Sequence, residues 1–202
     1  MSTSSARVTP PTRSAVATAL RVGGVTQAGD VDTVDVDLYR ANPIEADDTS
    51  SVRVVSADGR SFGCGLTLCA SEQSPARIVV QGTGGELTLF YETDRIEVHT
   101  PSTAWSLQSN RIDLLENLLA ARHDPGVRLL CDVRDTGAFM RVLEAVRTAP
   151  DPTAIASTFV TWLGEDTERR PVVHDVEAWC ERVARTQSTF RTLQAPWAKT
   201  KR

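Results

Sequence analysis

Between Val31 and Thr100 apolar residues recur at every second position in one short run after another. That period restricts the stretch to pleated strands, because a helix would repeat its apolar face every three to four residues. In VDTVDVDLY the apolar Val34, Val36 and Leu38 alternate with Asp35, Asp37 and Tyr39, which predicts one dry face and one wet one. SVRVVSA and SFGCGLTLCA follow, with Asp58 and Gly59 between them as a hairpin turn, and Phe62, Cys64, Leu66, Leu68 and Ala70 share a face. ARIVVQ, ELTLFYE and RIEVHT continue the series, so the spacing predicts one antiparallel sheet over residues 30 to 110.

The stretch QGTGGELTLFYETD, residues 81 to 94, brings Gly82, Gly84 and Gly85 together and looks like a phosphate-holding loop. A phosphate cradle needs a helix after its glycines, since helix-terminal N–H groups and the helix dipole hold the anion. Here a period-two run follows, and Leu87 stands where a third glycine belongs. The glycines therefore predict a hairpin turn.

Beyond Asn110 the period becomes helical. RIDLLENLLAAR carries an apolar stripe of Ile112, Leu115, Leu118 and Leu119, and a second helix is expected from about Asp135 to Arg147 with Phe139, Val142, Leu143 and Val146 inward. ASTFVTWLG reads as a further strand, and HDVEAWCERVARTQSTF as a third helix burying Val176, Cys180, Val183 and Phe190. An earlier helix, RSAVATALRV, closes on Gly23 and Gly24. Strands grouped ahead of helices predict an α+β fold: a mostly antiparallel open sheet with helices packed on one face. Residues 1 to 12, polar with a double proline, are expected to be disordered, and residues 13 to 202 to form a single domain.

Charge and composition narrow the function. A net charge of −4 gives no basic field for a nucleic acid, and Lys199, Lys201 and Arg202 are too few to reverse it. No apolar stretch is long enough for a membrane span. Residues 1 to 29 contain Arg7, Arg13 and Arg21 and no acid, as a transit peptide would, but no cationic amphipathic face develops. Cys64, Cys69, Cys131 and Cys180 form no C-x-x-C pair and are expected as reduced thiols in a cytoplasmic protein.

No residue cluster carries a recognisable reaction. Asp30, Asp32, Asp35 and Asp37 are spaced as a solvated strand edge rather than a cation cage. Glu45, Asp47 and Asp48, beside Arg40 and Asn42, read as turn chemistry in a loop that could also bind. His99, His123 and His174 are isolated in sequence, and no G-x-S-x-G elbow occurs. Trp105, Trp162, Trp179 and Trp197 read as packing aromatics rather than a sugar platform.

The stretches DVDLYRANPIEADDTSSVRV, LTLCA, IVVQGTGGELTLFYETD and RIDLLENLLAARHDP together resemble the C-terminal domain of Gfo/Idh/MocA oxidoreductases, most nearly bacterial members acting on sugars or polyols. The resemblance runs from about Arg13 to the closing APWA. It implies a two-domain enzyme in which an N-terminal dinucleotide domain binds NAD(P) and supplies a lysine, while the sheet domain completes the substrate pocket and mediates oligomerisation. This chain departs from that plan. It has no G-x-G-x-x-G ahead of a helix and no E-K-P, and residues 1 to 29, which include the counterpart of the family helix bearing an Asp and a His, contain neither.

No catalytic residue is therefore carried over, and no cofactor is expected on this chain alone, NAD(P) being implied for the full-length family. Arg40, Asn42 and Glu45 leave the first strand together, and the resemblance sets that strand's end near the interdomain cleft, so these three are the candidate substrate-binding residues. The partners expected are further copies of the chain, through the sheet's outer face with Val55 and Val79, and a separate dinucleotide-binding subunit. The alternative is a non-catalytic association module using that same face.

Overall fold

The computed structural model describes residues 10–72 and 74–198. The disorder expected for residues 1 to 12 lies outside the described residues as far as position 9. Helix begins at Pro10, ahead of the expected Arg13; proline suits a first helical position because its missing N–H would have no partner there. In chain order the elements are α1 (Pro10–Val22), β1 (Val31–Arg40), β2 (Thr49–Ser56), β3 (Ser61–Thr67), β4 (Ile78–Gly82), β5 (Gly85–Phe90), β6 (Arg95–His99), β7 (Ala104–Gln108), α2 (Leu114–His123), α3 (Gly137–Thr148), β8 (Thr153–Ala154), β9 (Val160–Leu163), β10 (Arg170–Val173) and α4 (Val176–Thr186). The class is α+β with mostly antiparallel strands, as the grouping of strands ahead of helices predicts.

The strands do not form the single sheet expected over residues 30 to 110. They make a sheet of order β3-β2-β1-β8 and a separate sheet of order β4-β5-β6-β7, with β9 and β10 paired on their own. The break falls after β3, where Leu68 N–H still donates to the Asp48 carbonyl in the β2–β3 register but Cys69 N–H turns to the Thr67 hydroxyl and so leaves the ladder. Pro75, with no N–H to donate, lies in the connection to β4. Contacts divide the chain into two compact units, residues 1–73 with 138–202, and residues 74–137.

In the first unit β1 is central, antiparallel to β2 from Val31↔Ser56 to Tyr39↔Thr49 and parallel to β8 through Tyr39↔Thr153 and Arg40↔Ala154. Val52 and Val54, with Val34, Val36, Phe62, Cys64 and Leu66, pack on one face against Val16 and Leu20 of α1 and Ala138 and Val142 of α3. Each such valine or leucine, taken from water, contributes about 1.5–3 kcal/mol. Where the sequence pattern expects helices on one face only, packing adds a layer on the other. There Tyr39 meets Val176 and Val183 of α4 together with Phe190, Ala195 and Trp197 from the residues that follow it.

Two glycines let α4 come close. A Cβ on Gly63 would stand 2.5 Å from the Val183 carbonyl oxygen, and one on Gly65 would stand 2.6 Å from the Cys180 Cα. The C-terminal segment then covers the face of β1 that its aspartates mark as wet. Asp37 and Tyr39 are 4% and 2% exposed. Asp37 accepts the Arg191 N–H at 2.8 Å and pairs with its guanidinium at 3.3 Å, while the Ser51 hydroxyl accepts the Phe190 N–H at 2.9 Å. A buried carboxylate needs such partners in place of the water it has lost.

In the second unit the registers Ile78↔Leu89↔Ile96↔Leu107 and Val80↔Leu87↔Val98↔Trp105 set two apolar rows on the same sheet face, since alternate residues point the same way. The other face carries Val79, Thr88, Glu97 and Ser106. Helix α2 forms where the pattern expects it, and the Asp113 carboxylate caps it by accepting from the N–H groups of Leu115 and Glu116. Its apolar stripe stays exposed: Ile112, Leu115, Leu118 and Leu119 all face solvent, against the expectation that this helix buries them on the sheet. Among the described residues of this unit only Ile78 and Thr88 are buried.

Candidate functional site

The end of β1 and the loop that leaves it hold all three sequence-predicted binding residues, Arg40 closing the strand, and the loop's shape is set by a fourth, Asp48. This side chain is 3% exposed, and its carboxylate accepts the Ala41 N–H at 3.0 Å, the Asn42 N–H at 2.8 Å and the Asn42 side-chain amide at 2.9 Å. Its backbone completes the closure, N–H donating to the Tyr39 carbonyl at 3.0 Å and carbonyl accepting from Leu68 N–H at 2.8 Å. A short acid that satisfies backbone donors six and seven residues back is turn chemistry of the kind the Glu45, Asp47, Asp48 group suggests.

The candidate binders are thereby placed. Arg40 turns its guanidinium onto the Ile44 carbonyl within the loop, and its own carbonyl accepts from Ile155 N–H beyond β8. Asn42 gives its amide to Asp48 and lies 3.9 Å from the Cys69 sulfur. Glu45 is exposed at the loop's outer turn. The loop brings the three residues together in one segment, with Arg40 and Asn42 tied back into it and Glu45 presented outward.

Cys69 is not a nucleophile in this setting. Burial, with the Asp48 charge adding to it, pushes the thiol up to about 12, so it stays protonated near neutrality. Burial likewise pushes Cys64 to about 12, and burial followed by the Glu177 charge takes Cys180 to about 12. Cys131 is exposed. With a thiol-specific chromogenic reagent at pH 8, the native protein is therefore expected to release one equivalent quickly from Cys131, to react slowly at the half-buried Cys64 and Cys180, and to release the Cys69 equivalent only when denaturant is added. Fast reaction of two or more thiols in the native state would contradict the burial described.

The other singled-out residues serve separate partners. Asp30 accepts from the N–H groups of Thr26 and Gln27, Asp35 pairs with Arg53 at 3.1 Å, and Asp37 holds Arg191. His123 Nδ1 is 2.9 Å from the Leu119 carbonyl, His174 Nε2 is 2.9 Å from the Thr161 hydroxyl, and His99 stands on β6 opposite Glu86 and Ala104. Trp197 meets Trp179 and Phe190 edge-on, and Phe190 meets Tyr39, so two of the tryptophans are packing aromatics. Trp162 lies under the Arg169 guanidinium at 4.8 Å.

The glycine turn joins β4 to β5, with Gly82 opposite Gly85. Gly85 has φ +141°, and a Cβ there would run into the His99 carbonyl, so only glycine fits. A strand follows it, which is the hairpin reading.

The apolar sheet face is the second candidate site, and its composition differs from that read from sequence. Val55 and Val79 belong to different sheets, because the single sheet expected is two, and so they do not make one face. Val79 shares its face with Thr88, Glu97 and Ser106. The continuous apolar surface is the opposite one, where Val80 and Leu107 are exposed and Trp105 is 50% exposed. The signal for it was present in the register-independent alternation of ELTLF, RIEVH and AWSLQ.

Comparison with solved structures finds the same fold within larger oxidoreductases. One crystal form of UDP-N-acetylglucosamine 3-dehydrogenase from Acidithiobacillus ferrooxidans aligns with a TM-score of 0.50 at 14% identity, over 67% of this chain and 42% of that one. A second crystal form of the same enzyme gives 0.51 at 13% identity, over 67% and 43%. An oxidoreductase from Agrobacterium radiobacter, solved with NAD+, L-tartaric acid and magnesium, aligns at 0.48 and 18% identity over 58% of this chain and 40% of its own. No family model matches the sequence, and no curated protein does. The neighbours are Gfo/Idh/MocA-type oxidoreductases. This chain spans less than half the length of each, and about two thirds of it shares the fold of a part of the Acidithiobacillus ferrooxidans enzyme.

Proposed function

We propose that this chain is the substrate-binding and assembly portion of a Gfo/Idh/MocA-type oxidoreductase of the sugar or polyol class, working in the cytoplasm with a separate dinucleotide-binding subunit and holding no NAD(P) itself. The observation that carries the reading is the shared fold with 42% of a nucleotide-sugar dehydrogenase. The sequence supports it from the other side, since its glycine-rich turn opens onto a strand and cannot aim helix N–H groups at a pyrophosphate. In this reading the loop of Arg40, Asn42 and Glu45 borders the substrate, Glu45 being the side chain it turns outward. Titration of NADH with the purified chain, followed by cofactor fluorescence, is expected to show no saturable change. Micromolar binding would overturn the assignment of the cofactor to another subunit.

The second reading, an association module without catalysis, is favoured by the apolar rows of the second sheet. In both readings that face pairs copies of the chain, an arrangement in which one surface meets itself about a two-fold axis. Trp105, at the end of its row on β7, is the natural anchor because aromatic side chains dominate contact energies at interfaces. Trp105→Glu is expected to shift sedimentation equilibrium at least tenfold toward monomer while leaving the far-ultraviolet circular dichroism unchanged. A wild-type chain that stays monomeric from 1 to roughly 100 μM, weaker than typical specific pairs, would remove this surface from both readings.

A further inference from the structure

We draw no further inference here: the strongest candidate, the row of exposed leucines Leu114, Leu115, Leu118 and Leu119 along α2 in the second unit, is an unpartnered apolar helix face, and nothing in the structure shows what covers it.

Discussion

Gly65→Val is expected to cost the first unit about 3 kcal/mol or more, a large share of the roughly 5–15 kcal/mol that stabilises a domain. A Cβ at this position would meet the Cys180 Cα at 2.6 Å and the Cys180 carbonyl oxygen at 2.7 Å. Both are backbone atoms of α4, so no side-chain rotation relieves the clash. The helix must lift, and with it go the contacts of Val176 and Val183 with Tyr39 and Phe190. Urea unfolding followed by tryptophan fluorescence measures the loss directly. Gly82→Ala is the matching control, since nothing stands within 4 Å of a Cβ there, and it is expected to change stability by less than about 1 kcal/mol. Equal midpoints for Gly65→Val and wild type would mean that α4 does not rest on β3.

The second large effect is at Asp48. Removing its carboxylate leaves the N–H groups of Ala41 and Asn42 and the Asn42 amide without their acceptor in a half-buried loop. Each orphaned donor costs about 1–3 kcal/mol before water enters, so Asp48→Ala is expected to destabilise by about 3 kcal/mol. Asp48→Asn keeps one oxygen and is expected to lose less. Hydrogen exchange separates local from global damage: in Asp48→Ala the amides of Ala41 and Asn42 should lose protection first, ahead of Val52 and Val54 in the sheet core. If all four amides speed up by the same factor, the carboxylate supports the whole unit rather than the loop.

Both predictions rest on residues that the sequence marks only faintly. The strands themselves are legible, because alternation in VDTVDVDLY or ELTLF decides which side chains share a face whatever lies beyond the strand. Alternation does not say which strand becomes a neighbour, and hence one sheet was expected where two form. Burial was misjudged for the same reason. Asp37 and Tyr39 look like a wet face because their cover, Phe190 and Arg191, lies about 150 positions away in the chain. The reverse error occurs at α2, whose Asp113 cap and leucine period are plain while its exposure is not, since period fixes a helix face and not its partner.

The candidate loop was partly legible. Polar residues after a strand pointed to Arg40, Asn42 and Glu45, and the adjacent acids to a turn, but only geometry shows that Asp48 draws Asn42 back and that Arg40 closes on Ile44. Gly63 and Gly65, two apart in SFGCGLT, were the available sign of a strand stripped bare for a close neighbour.

The parallel pairing of β8 with β1 has a bearing on biosynthesis. Strand β1 emerges from the ribosome more than a hundred residues ahead of β8, and further still ahead of the segment that covers Asp37 and Tyr39. The hairpins of β1, β2 and β3 can form at once, being local, but the nascent sheet keeps one edge and one flank bare until β8 and the residues after α4 have been made. During that interval a growing chain has every reason to recruit a chaperone, and a product cut short ahead of β8 would keep its central strand open on one side.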